Sequence, residues 1–261
     1  MSDADFSDDE LLRYSRQILL PGFDVDGQQK LRASRVLVVG AGGLGCPAAL
    51  YLAAAGIGRL AIVDPDHIDL SNLQRQIAHR TRDIGRNKAE RMAEACADLN
   101  SLVLVDGVVA RVEEPWLREK LGSATAPAFD CVLDCSDNFA TRAAVNRACR
   151  RARVPLVSGA AIRMEGQLAV FDFRRHATPC YACLYGEDGG EDGGEDAACV
   201  RNGVMSPVVG VVGAMQALAA IRVLAGYGET THGMLSVFDG LRGEWRNLRI
   251  AADPACPVCA G

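Results

Sequence analysis

An apolar run that ends in closely spaced glycines constrains this chain more than any other feature. "RVLVVGAGGLG", Arg35 to Gly45, reads Gly40-x-Gly42-x-x-Gly45 after continuous valine and leucine. Glycine there gives the backbone the tight turn and close approach that a phosphate needs at the mouth of a helix. The run before it is β-branched and apolar throughout, as a strand buried on both faces of a parallel sheet is. A helix from about Leu44 to Ala55, closed by Gly56, and a second strand, "RLAIVD" (Arg59–Asp64), complete a βαβ unit. The pattern then repeats. "NKAERMAEACADLN" has helical spacing, "LVLVDGVV" and "FDCVLDCSD" read as strands, "NFATRAAVNRACRRA" as a helix and "VPLVSG" as a strand. This alternation predicts an α/β, Rossmann-like, doubly wound and mostly parallel sheet over residues 30–160.

The flanks differ. Ser7 and Glu10 form a capping box for a helix through Leu20, ended by Pro21-Gly22, within an N-terminal segment 1–29. Residues 161–261 read as a continuation of the same domain into antiparallel strands, "GQLAVFDF" and "MLSVFDG…EWRNLRI". Between those strands lies a nearly all-apolar helix from about Pro207 to Ala225. It is hydrophobic on every side and so is expected to be buried, in the core or at a subunit contact. "GEDGGEDGGED", Gly186 to Asp196, carries six carboxylates and no Lys or Arg, which predicts a solvated, flexible acidic loop over 186–198.

Charge and targeting signals exclude several classes. The net charge is −5 and no polybasic arm is present, which argues against a nucleic-acid partner. "MSDADFSDDELL" has neither the basic nor the apolar region of a signal peptide. The longest apolar run, Val208 to Met215, is broken by Gln216 and is too short to cross a bilayer, so no membrane is expected. Ten cysteines without a signal peptide read as thiols and metal ligands in a reducing cytoplasm.

Four of those cysteines carry the strongest metal signal. Cys180-x-x-Cys183 and Cys256-x-x-Cys259 suit tetrahedral zinc, because each pair chelates from one tight turn. Four thiolates leave no open position, so the expected zinc is structural. Cys46, Cys96, Cys131, Cys135 and Cys149 fall in strand or helix patterns and read as core thiols, and the four histidines lack metal spacing.

The glycine turn and Asp64, at the end of the second strand, fit NAD, FAD or ATP equally. The residues beyond Asp64 separate the three. "DPDHIDLSNLQRQ" brings Asn72, Arg75 and Gln76, and "RTRDIGRNK" ends in Lys88. A triphosphate enzyme needs guanidinium and ammonium groups aimed at the phosphates, where charge grows as pyrophosphate leaves. Ordinary surface charge is the plainer reading of the same residues. "LDCSDN" sits at the carboxyl end of a strand, where Asp137 is placed to hold Mg²⁺ against phosphates and Asp134 reads as structural.

"RYSRQILLPGFDVDGQQKL", "RVLVVGAGGLGCPAALYLAAAGIG", "DLSNLQRQ", "LDCSDN", "VPLVSGAAIRMEGQLAVF" and "GVMSPVVGVVGAMQA" resemble the MoeB/ThiF adenylyltransferases. These are prokaryotic relatives of the ubiquitin-activating enzymes. The resemblance runs from Arg13 to Cys259 and includes the double cysteine knuckle. It implies binding of MgATP and adenylation of the C-terminal glycine carboxylate of a small ubiquitin-like sulfur carrier ending in Gly-Gly. Carried over by motif, Gly40, Gly42, Gly43, Asp64 and Asp66 would bind the nucleotide. Ser71, Asn72, Leu73, Gln74, Arg75, Gln76 and Lys88 would surround it, and Asp137, the magnesium-binding catalytic acid, would act beside Asn138. Arg16 would reach across a homodimer to which residues 1–29 contribute. Cys199 stands where some relatives carry a covalently acting cysteine and others work without one.

The resemblance places the pathway in molybdopterin synthesis, with a thiamine-pathway carrier as the alternative. No rhodanese domain follows Cys259, which implies a separate persulfide sulfur donor. Two readings from other classes stay beside it. An NAD- or FAD-dependent oxidoreductase explains the glycines and Asp64 but leaves Arg75, Lys88 and Asp137 idle. A silent scaffold has no need of those three residues.

Overall fold

The computed structural model describes residues 6–175, 178–186, 203–229 and 231–260. The glycine-ended run forms the middle of the sheet. Strand β1 (Arg35–Val39) pairs in parallel with β2 (Arg59–Val63) on one side and β6 (Cys131–Asp134) on the other. β3 (Leu104–Val108) extends the sheet beyond β2, and β7 (Leu156–Ile162) extends it beyond β6. From β7 onward the direction alternates through β8 (Glu165–Phe171), β9 (Met234–Asp239) and β10 (Glu244–Arg249). The eight strands run in the order β10-β9-β8-β7-β6-β1-β2-β3. The parallel half has the doubly wound order, with its reversal between β1 and β6. A two-stranded hairpin, β4 (Gly122–Ser123) and β5 (Ala126–Pro127), stands apart from this sheet.

Period-two alternation sorts each strand between two cores. Val36, Val38, Leu60, Ile62 and Leu133 face a layer of α3 (Gly45–Ala55), α4 (Lys88–Leu99) and α8 (Ser206–Ala225). Leu37, Val39, Val63 and Val132 face α5 (Glu114–Leu121) and α6 (Phe139–Ala152), with the short α7 (Tyr181–Tyr185) beside them. Two helices precede the sheet. α1 (Asp8–Ile18) carries the expected Ser7–Glu10 capping box. α2 (Asp24–Ala33) carries no side-chain cap, and no local sequence signal marks it.

α8 is the helix hydrophobic on every side. Its 20 residues match the helix expected from about Pro207 to Ala225, and by length and apolar composition they would be enough to cross a membrane. It packs instead against α3, β7 and β8 as a core helix. The five cysteines expected to be core thiols are all buried, and burial pushes Cys46, Cys96 and Cys131 up to about 12.

Candidate active site

The carboxyl ends of β1, β2 and β6 open onto a cleft of about 1100 Å³. The first wall is the glycine turn. Gly40 has φ +96°, and a Cβ there would lie 2.8 Å from the Cys135 carbonyl oxygen. A Cβ on Gly45 would lie 1.9 Å from the Gly40 carbonyl oxygen, so only glycine lets the first turn of α3 close over β1. Gly40, Gly42 and Gly43 line the cleft. Leu44 precedes α3 without a side-chain cap; in the first turn the Cys46 amide donates to the Gly42 carbonyl at 2.9 Å and Pro47 has no N–H, so the cradle is the glycine turn itself.

Asp64 ends the next strand. Its Oδ2 accepts from the Ala41 amide at 2.8 Å and its Oδ1 from the Asp66 amide at 2.8 Å. Burial pushes this carboxyl up, and the two amides and the Lys88 charge oppose that shift. Asp64 therefore fixes the turn as well as lining the cleft.

Asp66, expected as a nucleotide contact, pairs with Lys88, its Oδ2 accepting from Nζ at 3.0 Å. Lys88 is the first residue of α4, held there by an Asn87 cap that accepts from Ala89 and Glu90. Its side chain is buried except for 9%, so the ammonium is aimed at the cleft rather than at bulk water.

The segment between Asp66 and Lys88 carries the remaining polar residues. A 3₁₀ turn over Leu70–Asn72 is capped by Asp69, and the Asn72 Oδ1 accepts from the Asp69 amide at 3.1 Å. Arg75 donates to the Ser71 carbonyl at 3.2 Å. Ser71, Asn72, Gln74, Arg75 and Gln76 line the cleft, and Leu73 does not.

The third wall is the turn after β6. Asp134 is fully buried, and its Oδ1 accepts from the Ser136 amide and hydroxyl at 3.0 and 2.6 Å. Asp137 and Asn138 line the cleft, Asp137 as an exposed carboxylate. Asn138 caps α6 by accepting from the Thr141 amide. Arg16, on α1, is exposed and does not line the cleft of its own chain. Cys199 and residues 187–202 lie outside the described residues.

The cysteine knuckles converge away from the cleft. The four Sγ atoms of Cys180, Cys183, Cys256 and Cys259 lie within 4.8 Å of one another, with Cys180–Cys256 at 3.6 Å and Cys183–Cys259 at 3.3 Å. A tetrahedral zinc with bonds of ~2.3 Å sets its sulfurs about 3.8 Å apart, so this set could hold one metal ion. Cys180 also caps α7, a helix without a sequence signal, and the Tyr181 amide donates to Asn146 on α6. Two buried polar residues beside the site have no local signal: His79 and Gln216, both in contact with its backbone.

Residues 14–258 match the model of the ThiF family. The chain belongs to the ThiF family. This ThiF-family chain is 45% identical to the molybdopterin-synthase adenylyltransferase of Escherichia coli K12, covering 98% of this chain and 99% of that one. It is 43% identical to the sulfur carrier protein ThiS adenylyltransferase of the same organism, over 100% and 98% of the two chains. The Drosophila persimilis adenylyltransferase and sulfurtransferase MOCS3 is 44% identical over 97% of this chain, which spans 54% of that longer protein. E. coli MccB, solved with ATP, superposes with a TM-score of 0.81 at 24% identity, over 99% of this chain and 75% of that one. The chain is thus an enzyme of the adenylyltransferase type on a ThiF-family fold.

Proposed function

We propose that the protein binds MgATP in the glycine-walled cleft and adenylates the C-terminal glycine carboxylate of a small ubiquitin-like sulfur carrier. The observation that carries this reading is the convergence of Lys88, Arg75, Asp137 and the glycine turn on one cleft. In this reading the glycine turn, with Arg75 and Lys88 among the cations that line the cleft, faces a polyphosphate, and the Asp137 carboxylate holds its metal ion. An oxidoreductase would leave those charges without work.

The chemistry comes from that arrangement. An oxygen of the carrier carboxylate attacks the α-phosphorus, and the bond from that phosphorus to the bridging oxygen of the β-phosphate breaks. Acyl-AMP and pyrophosphate result. Both reactants are anions, so their approach is the main obstacle, and fixed cations lower it. Arg75 and Lys88 stabilise the leaving pyrophosphate, and Asn72 and Gln76 orient it. Asp64 binds the ribose while its amide bonds keep the cradle in place. Asp137 suits Mg²⁺, which commonly takes one or two carboxylates with substrate phosphates and neutralises their charge when bound. Arg16 is exposed and suits action in trans, across a homodimer. The cysteine set fits a structural Zn²⁺ by donor type and spacing.

The carrier is MoaD-like in this reading, the pathway is molybdopterin synthesis in the cytoplasm, and a separate persulfide donor supplies sulfur. The 43% relative named for ThiS favours a thiamine-pathway carrier as the second reading. Carrier-dependent exchange of labelled pyrophosphate into ATP tests the activity. Exchange with a MoaD-like and not a ThiS-like carrier is expected. Exchange with neither, using folded protein, refutes the proposal.

A further inference from the structure

His79 belongs to no motif and does not line the cleft, yet it is buried, only 4% exposed. Its Nε2 lies 3.3 Å from the carbonyl oxygen of Ala41, between the first two glycines of the turn. A carbonyl only accepts, so the ring nitrogen facing it carries the proton. Burial, the largest influence, pushes the imidazole down, and a neutral ring has one N–H to give. The thiol of Cys46 donates to the same oxygen at 3.5 Å. Among the described residues, the buried Nδ1 has no hydrogen-bond partner, so the ring is held from its Nε2 side alone.

We propose that His79 is a positioning residue of the nucleotide cradle, which locks the Ala41–Gly42 peptide and thereby fixes the direction of the Gly42 N–H. The proposal rests on the nucleotide reading above. In a trans peptide the carbonyl of one residue and the N–H of the next point in opposite directions. Drawing the Ala41 oxygen inward, toward His79 and Cys46, turns the Gly42 N–H the other way, on the residue that lines the cleft. Glycine on one side of that peptide makes a flip sterically cheap, so the orientation needs a lock.

The preceding peptide is locked too, because the Ala41 amide donates to Asp64 at 2.8 Å. Asp64 and His79 bracket the segment that carries Ser71 to Gln76. One alanine is gripped from both ends of that segment, and the cradle and the phosphate-facing residues share one register.

The test compares His79→Leu with His79→Gln. The glutamine amide reaches the position of Nε2 and restores the donor, and leucine removes it. For H79L the KM for MgATP is expected to rise about tenfold, the worth of one buried hydrogen bond, with kcat within about threefold of wild type. H79Q is expected to restore the KM to within about threefold. Without nucleotide, amide hydrogen exchange over residues 38–46 is expected to quicken in H79L and not in H79Q. If H79L does not fold, His79→Asn replaces it, since its shorter amide stops at the Nδ1 position. An unchanged KM in H79L, or equal impairment of both variants, overturns the proposal. If MgATP fails to raise the melting temperature of the wild type, the nucleotide reading falls, and the exchange measurement alone decides whether His79 locks the turn.

Discussion

Gln216→Met is the substitution whose cost can be worked most directly from the structure. Gln216 sits in the middle of α8 and is fully buried. Its Nε2 donates to the Asp134 carbonyl at 2.8 Å and the Val157 carbonyl at 3.2 Å, and its Oε1 accepts from the Cys135 thiol at 3.5 Å. One side chain therefore ties an apolar helix to the ends of β6 and β7, three residues before Asp137. Gly159 makes room for it, since a Cβ there would lie 2.4 Å from the amide carbon. Methionine keeps the approximate volume and removes all three bonds. Two buried amide bonds at ~1 kcal/mol each, plus the stranded thiol, come to about 2–3 kcal/mol. For a chain of this size each kcal/mol moves the melting temperature by about 2–4 °C, so a fall of roughly 4–12 °C is expected. Calorimetric or circular-dichroism melting without nucleotide reads it. Gly159→Ala, which pushes the same amide aside, is expected to fall in the same direction. A Q216M protein melting within about 2 °C of wild type would refute the claim that this amide anchors the site.

Asp137→Ala removes an exposed side chain, so its melting temperature is expected to stay unchanged while pyrophosphate exchange falls by at least ~100-fold. Cys259→Ser is expected to lose bound zinc, measured by elemental mass spectrometry, and to melt lower, because metal binding to such a set is folding free energy. Burial pushes Asp83 up, but the bond from Arg91 at 3.0 Å and the Arg80 amide outweigh it and hold its carboxyl below the usual range. A depressed folded pKa stabilises above the unfolded value and is lost as pH falls through the folded one. Asp83→Asn is therefore expected to destabilise at pH 7, with the gap to wild type closing below about pH 4 in melting curves.

The Rossmann half is legible in the sequence because its strands are continuous apolar runs and its turns are glycines whose missing Cβ atoms are sterically required. The Ser7–Glu10 box and the cysteine knuckles are legible for the same reason, since local spacing carries the physics. α2 is not legible, because it follows Pro21-Gly22 and has no side-chain cap. α8 is legible both in its extent and as a buried helix, but Gln216 reads there as a break in the apolar run when it is a buried anchor. Within the site, the glycines, Asn72, Arg75, Lys88 and Asp137 are readable from motif and charge, whereas Arg111, Arg142 and Arg147, which also line the cleft, carry no motif signal. His79 and Gln216 escape notice because their partners, Ala41 and Asp134, lie 38 and 82 positions away. Such partners become visible only once the sheet has been assembled.

The central claim is that the charges facing this cleft activate a carboxylate with ATP. The most direct measurement is the intact mass of a carrier ending in Gly-Gly after incubation with the protein, MgATP and pyrophosphatase. The expected result is a carrier heavier by one AMP, absent when the carrier lacks its last glycine or the enzyme carries Asp137→Ala. An unmodified carrier of either pathway, with the enzyme folded and zinc-loaded, would contradict the account.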